Sequence, residues 1–121
     1  MRGSPRVRRL LLAVAVTVFV GALALPASAA TVVKTTSTNR YNPGSVQINR
    51  GGRITWKNVS NKRHNITAYG GWSYKLTLNA GQSGGRRFAN NGTFKYRCTI
   101  SGHSQLSGGN CTGMCGVIKV G

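Results

Sequence analysis

The 121-residue chain contains no aspartate and no glutamate, against 17 lysines and arginines. If acids made up half of the usual charged share, roughly 15 would be expected. One setting suited to this lack is acid. Carboxylates would be protonated there and their native pairings lost, so a fold without them loses nothing. The basic excess also suits a solvated surface, an acidic partner protein or an anionic envelope polymer. Nucleic acid is not expected of an exported chain with scattered charges and only 7% aromatic residues.

Long apolar runs are also missing, apart from Leu10–Leu25. That run is short for a membrane span, which needs about 20 residues. Arg2, Arg6, Arg8 and Arg9 precede it and Ala27-Ser28-Ala29 follows it, which is the pattern of a secretory signal peptide cleaved after Ala29. No cysteine follows the apolar run, which argues against a lipoprotein anchor. Residues 1–29 are therefore expected to be a signal peptide and 30–121 a single small domain with no membrane span. Its location would be extracytoplasmic: periplasmic, cell-envelope or secreted. Thiols there either pair or bind metal. With three cysteines, one is left over if the other two pair, and it needs a role.

After the signal there is no heptad and no long 3.6-residue pattern. Short alternating runs take their place: Val46 with Ile48, Ile54 with Trp56, Ile66 with Ala68, Leu76 with Leu78, Phe94 with Tyr96 and Cys98, Ile118 with Val120. Turn residues separate them, among them Asn42-Pro43-Gly44, Gly51-Gly52, Gly70-Gly71 and Asn90-Asn91-Gly92. Many short strands at this spacing predict an all-β fold, an antiparallel sandwich or barrel.

The mature chain holds two histidines, His64 and His103, and one methionine, Met114. Cys98 lies five residues before His103. Two imidazoles, one thiolate and a weak thioether form the donor set of a blue-copper site. Thiolate and thioether favour Cu(I), and imidazole suits both oxidation states. A frame holding one compromise geometry therefore lets an electron move with little rearrangement. Two histidines cannot also build a trinuclear oxygen-reducing centre, so an enzyme of that kind is disfavoured.

Several stretches together resemble the cupredoxin family over nearly all of 31–121. "YNPGSVQINRGGRITWKN" is similar to that family's opening, "HNIT" to its first-histidine motif, "GTFKYRCTISGH" to the strand entering the copper loop, and "GMCGVIKV" to the loop's end and last strand. The Cys-Thr-x-x-Gly-His spacing is most similar to azurins, auracyanins and rusticyanins. The resemblance implies a Greek-key β-sandwich that holds one copper ion and carries single electrons between redox partners. By the same resemblance His64, Cys98 and His103 are equatorial ligands and Met114 is axial. Asn65 and Thr99 tie the two ligand segments together beside the thiolate. His103, with its edge at the surface, is the electron port. Rival readings are a cationic cell-envelope binding module and a copper carrier on the same frame.

The chain departs from its relatives in one place. There, the axial methionine follows the second histidine of the loop by only a few residues, whereas here ten, Ser104–Gly113, intervene. The insert is small and polar and is expected to bulge outward. Cys111 and Cys115 flank Met114 and are expected to form a local disulfide stapling the loop, provided the backbone turns tightly enough. The alternative of extra metal ligands, as in a dinuclear copper centre, lacks a downstream His and Met. Leu106 and the insert are expected to shape a docking patch. Arg50, Arg53, Lys57, Lys62 and Arg63 are expected to crowd the approach to His64 and steer an acidic redox partner.

Overall fold

The computed structural model describes residues 30–121. The signal-peptide assignment at 1–29 lies outside them. No helix long and apolar enough to cross a membrane occurs among the described residues.

Eleven strands follow one another: β1 Thr31–Thr35, β2 Tyr41–Asn42, β3 Ser45–Ile48, β4 Arg53–Asn58, β5 His64–Tyr69, β6 Lys75–Leu78, β7 Ser83–Arg87, β8 Gly92–Arg97, β9 Ser104–Ser107, β10 Asn110–Gly113 and β11 Cys115–Val120. They form a four-stranded sheet in the order β2-β1-β4-β7, a five-stranded sheet in the order β3-β11-β8-β5-β6, and a separate β9-β10 ribbon. The two larger sheets face each other. Alternation explains this, since successive side chains of a strand point to opposite faces. Val33, Ile54 and Trp56 come inward from the four-stranded sheet, and Ile66, Leu78, Tyr96, Ile118 and Val120 from the other. Trp56 and Tyr96 meet edge to face across the middle, with ring centroids 5.4 Å apart.

Pairing is not wholly antiparallel. β1 runs parallel to β4, and β3 parallel to β11. The segment from β1 to β3 passes from one sheet to the other, so both its ends join strands running in their own direction. Alternation along a strand reveals which face is buried, not which neighbour it takes.

One buried polar hub organises the end of the sandwich that carries the ligands. Asn58 closes β4 and is fully buried. Its Nδ2 donates to the carbonyls of Lys62 and Leu78, at 2.6 and 3.1 Å. Its Oδ1 accepts from Thr35 Oγ1, the Ser60 amide and Ser60 Oγ, at 2.9, 3.0 and 2.7 Å. A side-chain amide so fully satisfied fixes the turn from β4 into β5, and with it the position of His64.

Candidate metal centre

Three elements deliver the donors. His64 opens β5, Cys98 directly follows β8, and His103 directly precedes β9. One donor atom from each lies within 4.8 Å of the others. Cys98 Sγ is 3.4 Å from His103 Nδ1 and also accepts the Asn65 amide N–H at 3.4 Å. Cys98 is buried and not disulfide-bonded. His103 is half-buried.

His64 carries the most telling observation. The ring is fully buried, yet neither Nδ1 nor Nε2 has a hydrogen-bond partner. Buried polar atoms are nearly always satisfied, so an orphaned imidazole beside a thiol and a second imidazole fits a set of metal ligands. Burial pushes His64 below its ordinary value, and the neighbouring His103 adds to this; a Thr36 backbone contact opposes it and the Lys62 cation reinforces it. Burial, followed by Lys62, lowers His103 in the same way. Both shifts favour neutral imidazole, the form that can donate a lone pair to a metal.

Asn65 and Thr99 do meet. Asn65 Nδ2 donates to Thr99 Oγ1 at 3.0 Å, and the Thr99 amide donates back to Asn65 Oδ1 at 2.9 Å. Thr67 Oγ1 also donates to that oxygen, at 2.8 Å. The clamp binds the segment after His64 to the segment after Cys98. Tyr41 adds a support that the motifs did not reveal, its hydroxyl donating to the Asn65 carbonyl. Asn58, the other support, stands at the end of the "ITWKN" stretch, where an asparagine on the same alternating face as Ile54 and Trp56 was the available signal.

The insert between His103 and Met114 is a hairpin rather than an irregular bulge. β9 and β10 pair in register from Ser107 opposite Asn110 down to Ser104 opposite Gly113. Gly108 and Gly109, with φ of 58° and 82°, form the two-residue turn. A Gly-Gly pair between two four-residue runs is the sequence signal for such a hairpin. The ladder closes at its neck, where the Met114 amide donates to the His103 carbonyl at 2.8 Å. A Cβ on Gly113 would lie 2.5 Å from that carbonyl oxygen, so only glycine permits the closure. The Cys98 amide in turn donates to the Met114 carbonyl at 3.1 Å. Met114 is thus fully buried and bonded through its backbone to two of the three clustered residues. Cys111 and Cys115 form a disulfide, with Cα atoms 6.1 Å apart, fastening the hairpin to the first residue of β11.

The basic approach to His64 needs correction. Lys62 and Arg63 flank it, but Arg50 and Arg53 stand at the opposite pole, lining a cavity there. Five residue steps along β4 separate Arg53 from Asn58, about 17 Å at strand spacing. Closeness in sequence did not survive an extended strand.

No protein-family pattern and no curated protein matches the chain. Solved structures do. A purple cupredoxin from Nitrosopumilus maritimus aligns with a TM-score of 0.62 at 20% identity, over 75% of this chain and 99% of that one. A reduced-state amicyanin mutant aligns with a TM-score of 0.61 at 23% identity, over 79% of this chain and 86% of that one. The strand order, the sandwich and these likenesses agree: residues 30–121 adopt the cupredoxin fold.

Proposed function

We propose that the protein is an exported copper protein that carries single electrons and is not an enzyme. The observation that carries this reading is the buried, partnerless His64 within 4.8 Å of the donor atoms of Cys98 and His103. In this reading His64, Cys98 and His103 hold one copper ion and Met114 supplies the weak fourth donor. Soft sulfur with imidazole nitrogen is the chemistry that suits copper. Copper bound there would supply a one-electron couple between Cu(I) and Cu(II).

The chain's own residues do the rest. The Asn65–Thr99 clamp and the amide donated to Cys98 Sγ hold the sulfur in one position, and such outer contacts tune a metal's potential. The Asn58 hub keeps His64 from relaxing. The half-exposed His103 ring gives electrons a short way out, toward a partner seated beside the hairpin, where Leu106 is 37% exposed. Lys62 and Arg63 give that end a positive field, which favours a redox partner with an acidic docking surface. Cleavage after Ala29 would deliver the domain to the periplasm, the envelope or the medium. An anionic envelope polymer is a second class of partner that the overall charge would suit.

Adding one equivalent of Cu(II) to the exported protein and recording visible and spin-resonance spectra tests the reading. An intense blue thiolate-to-copper band is expected. A colourless protein, also colourless when freshly isolated from cells, would overturn electron transfer and leave the fold as described.

A further inference from the structure

The two sheets treat their cations differently. In the five-stranded sheet every outward lysine sits opposite an uncharged residue. Lys75 faces Thr67, Lys95 faces Tyr69 and Val117, and Lys119 faces Thr93 and Gln47. In the four-stranded sheet cations face each other. Arg53 is registered directly against Arg87 across β4 and β7, and Lys34 against Lys57 across β1 and β4. All four are exposed, while their neighbours Val33, Ile54 and Trp56 point into the core. Like charges directly opposite destabilise a sheet, and no side-chain carboxylate exists anywhere in the chain to relieve them.

The Arg53–Arg87 end of this face opens into a cavity of about 630 Å³ lined by Arg50, Arg53 and Arg87 together with Gln47, Asn49 and Thr31. The turn that brings Arg50 there is firmly held. The Gly52 amide donates to the Asn49 carbonyl at 2.9 Å, and the Gly51 amide and Gly52 carbonyl both bond to the backbone of Phe88, beside Arg87. Arg87 Nη1 donates to the Gly51 carbonyl at 2.8 Å, which leaves most of its donors free.

We propose that this face binds a linear phosphate polyanion, with one phosphate group in the Arg50–Arg53–Arg87 cavity and the chain running along β4 toward Lys57 and Lys34. Guanidinium forks match phosphate oxygens in pairs. The terminal phosphate of such a chain offers three unbridged oxygens against a carboxylate's two and can carry a second charge, so it can engage three guanidiniums at once. Bound anion would convert two repelling pairs into bridged ones. Ala30 lines the same cavity. If cleavage follows Ala29, the new α-amino group adds another cation there, although the arginines do not depend on it. The cavity lies at the pole opposite the His64–Cys98–His103 cluster, so this inference does not rest on copper or on electron transfer.

The test measures binding of inorganic polyphosphate of one defined length to the exported protein, with and without copper, over a range of salt. An Arg50→Gln, Arg53→Gln, Arg87→Gln variant is compared with a charge-matched control on the other sheet, Lys75→Gln, Lys95→Gln, Lys119→Gln. Losing three phosphate contacts should lower the log–log salt slope by about 2 and weaken binding at least about tenfold at 0.15 M salt. The control should lose less than about threefold, because none of its three lysines lines the cavity. Equal losses in the two variants would mean unlocalised attraction and would overturn the site. Equal affinity for poly-glutamate of matched charge would overturn the phosphate assignment. The single Arg53→Gln variant relieves a repelling pair and should not unfold; its smaller loss must rank the same way against a single Lys95→Gln control.

Discussion

The two ends of the sandwich satisfy their polar groups by opposite means. At the ligand end nearly every polar group is answered from within. The Asn58 side chain takes part in five hydrogen bonds, Asn65 and Thr99 bond reciprocally, and the hairpin neck returns Met114 to His103 and Cys98. Both His64 nitrogens, by contrast, are buried without a partner. At the far end Arg50, Arg53 and Arg87 share a cavity in a chain with no side-chain carboxylate, and two of them are registered face to face. Internal closure gives a rigid frame around one partnerless imidazole. Uncompensated charge at the other pole points to a partner outside the chain.

The largest expected effect strikes the ligand cluster itself. Cys98→Ser should abolish the visible copper band altogether while circular dichroism stays that of a β-sandwich, because serine nearly matches the buried cysteine in size and shape. A variant that kept the band would remove Cys98 from the site.

Asn58→Ala comes next. It strands the Thr35 and Ser60 groups and the carbonyls of Lys62 and Leu78, and should destabilise the domain by about 3 kcal/mol in urea or guanidinium unfolding. A loss below about 1 kcal/mol would mean the ligand end is not held by its polar hub, and the contrast with the other pole would weaken.

Opening the staple has a smaller effect. Replacing Cys111 and Cys115 by serine frees a short loop, and chain entropy puts the cost at about 2 kcal/mol. The copper band should persist but shift, because Met114 lies between the two cysteines. An unchanged spectrum would show that the β9-β10 ladder alone holds the methionine.

The smallest effect is that of acid on the copper-free protein. The folded state holds His64 below its ordinary value of 6.5, so it binds fewer protons than the unfolded chain. Its contribution is therefore present above pH 6.5 and is lost as pH falls from there through the lower folded value. Below that window no side-chain carboxylate remains to titrate, so the unfolding midpoint should level off down to about pH 3. A second cooperative loss below about pH 4 would contradict a fold indifferent to acid.

Much of the ligand end was legible because its information is local. Cys98, Thr99 and His103 fall within six residues, His64 and Asn65 are adjacent, and alternation marked Ile54, Trp56, Tyr96, Ile118 and Val120 as inward. What escaped depends on where distant strands meet. Neither the parallel pairing of β1 with β4 nor that of β3 with β11 leaves a mark in either strand alone. Arg50 and Arg53 seemed neighbours of His64 until an intervening strand carried them to the other pole. The repulsion of Arg53 with Arg87 needs a register that only the folded sheet supplies. The hairpin was readable in principle from Gly108-Gly109, but its small polar residues fit a plain loop equally well.

The neck formed by His103, Ser104, Gly113 and Met114 makes spacing in sequence irrelevant to spacing in the site. Whatever lies beyond that neck is an interchangeable head on a fixed collar. Residues 105–110 could be shortened, lengthened or replaced by another two-stranded ribbon, with Cys111 kept for its bridge to Cys115, while the donors stay where the collar holds them. The partner-facing part of the molecule can thus be rewritten without retuning the metal, and the same collar is the natural place to graft a new recognition element.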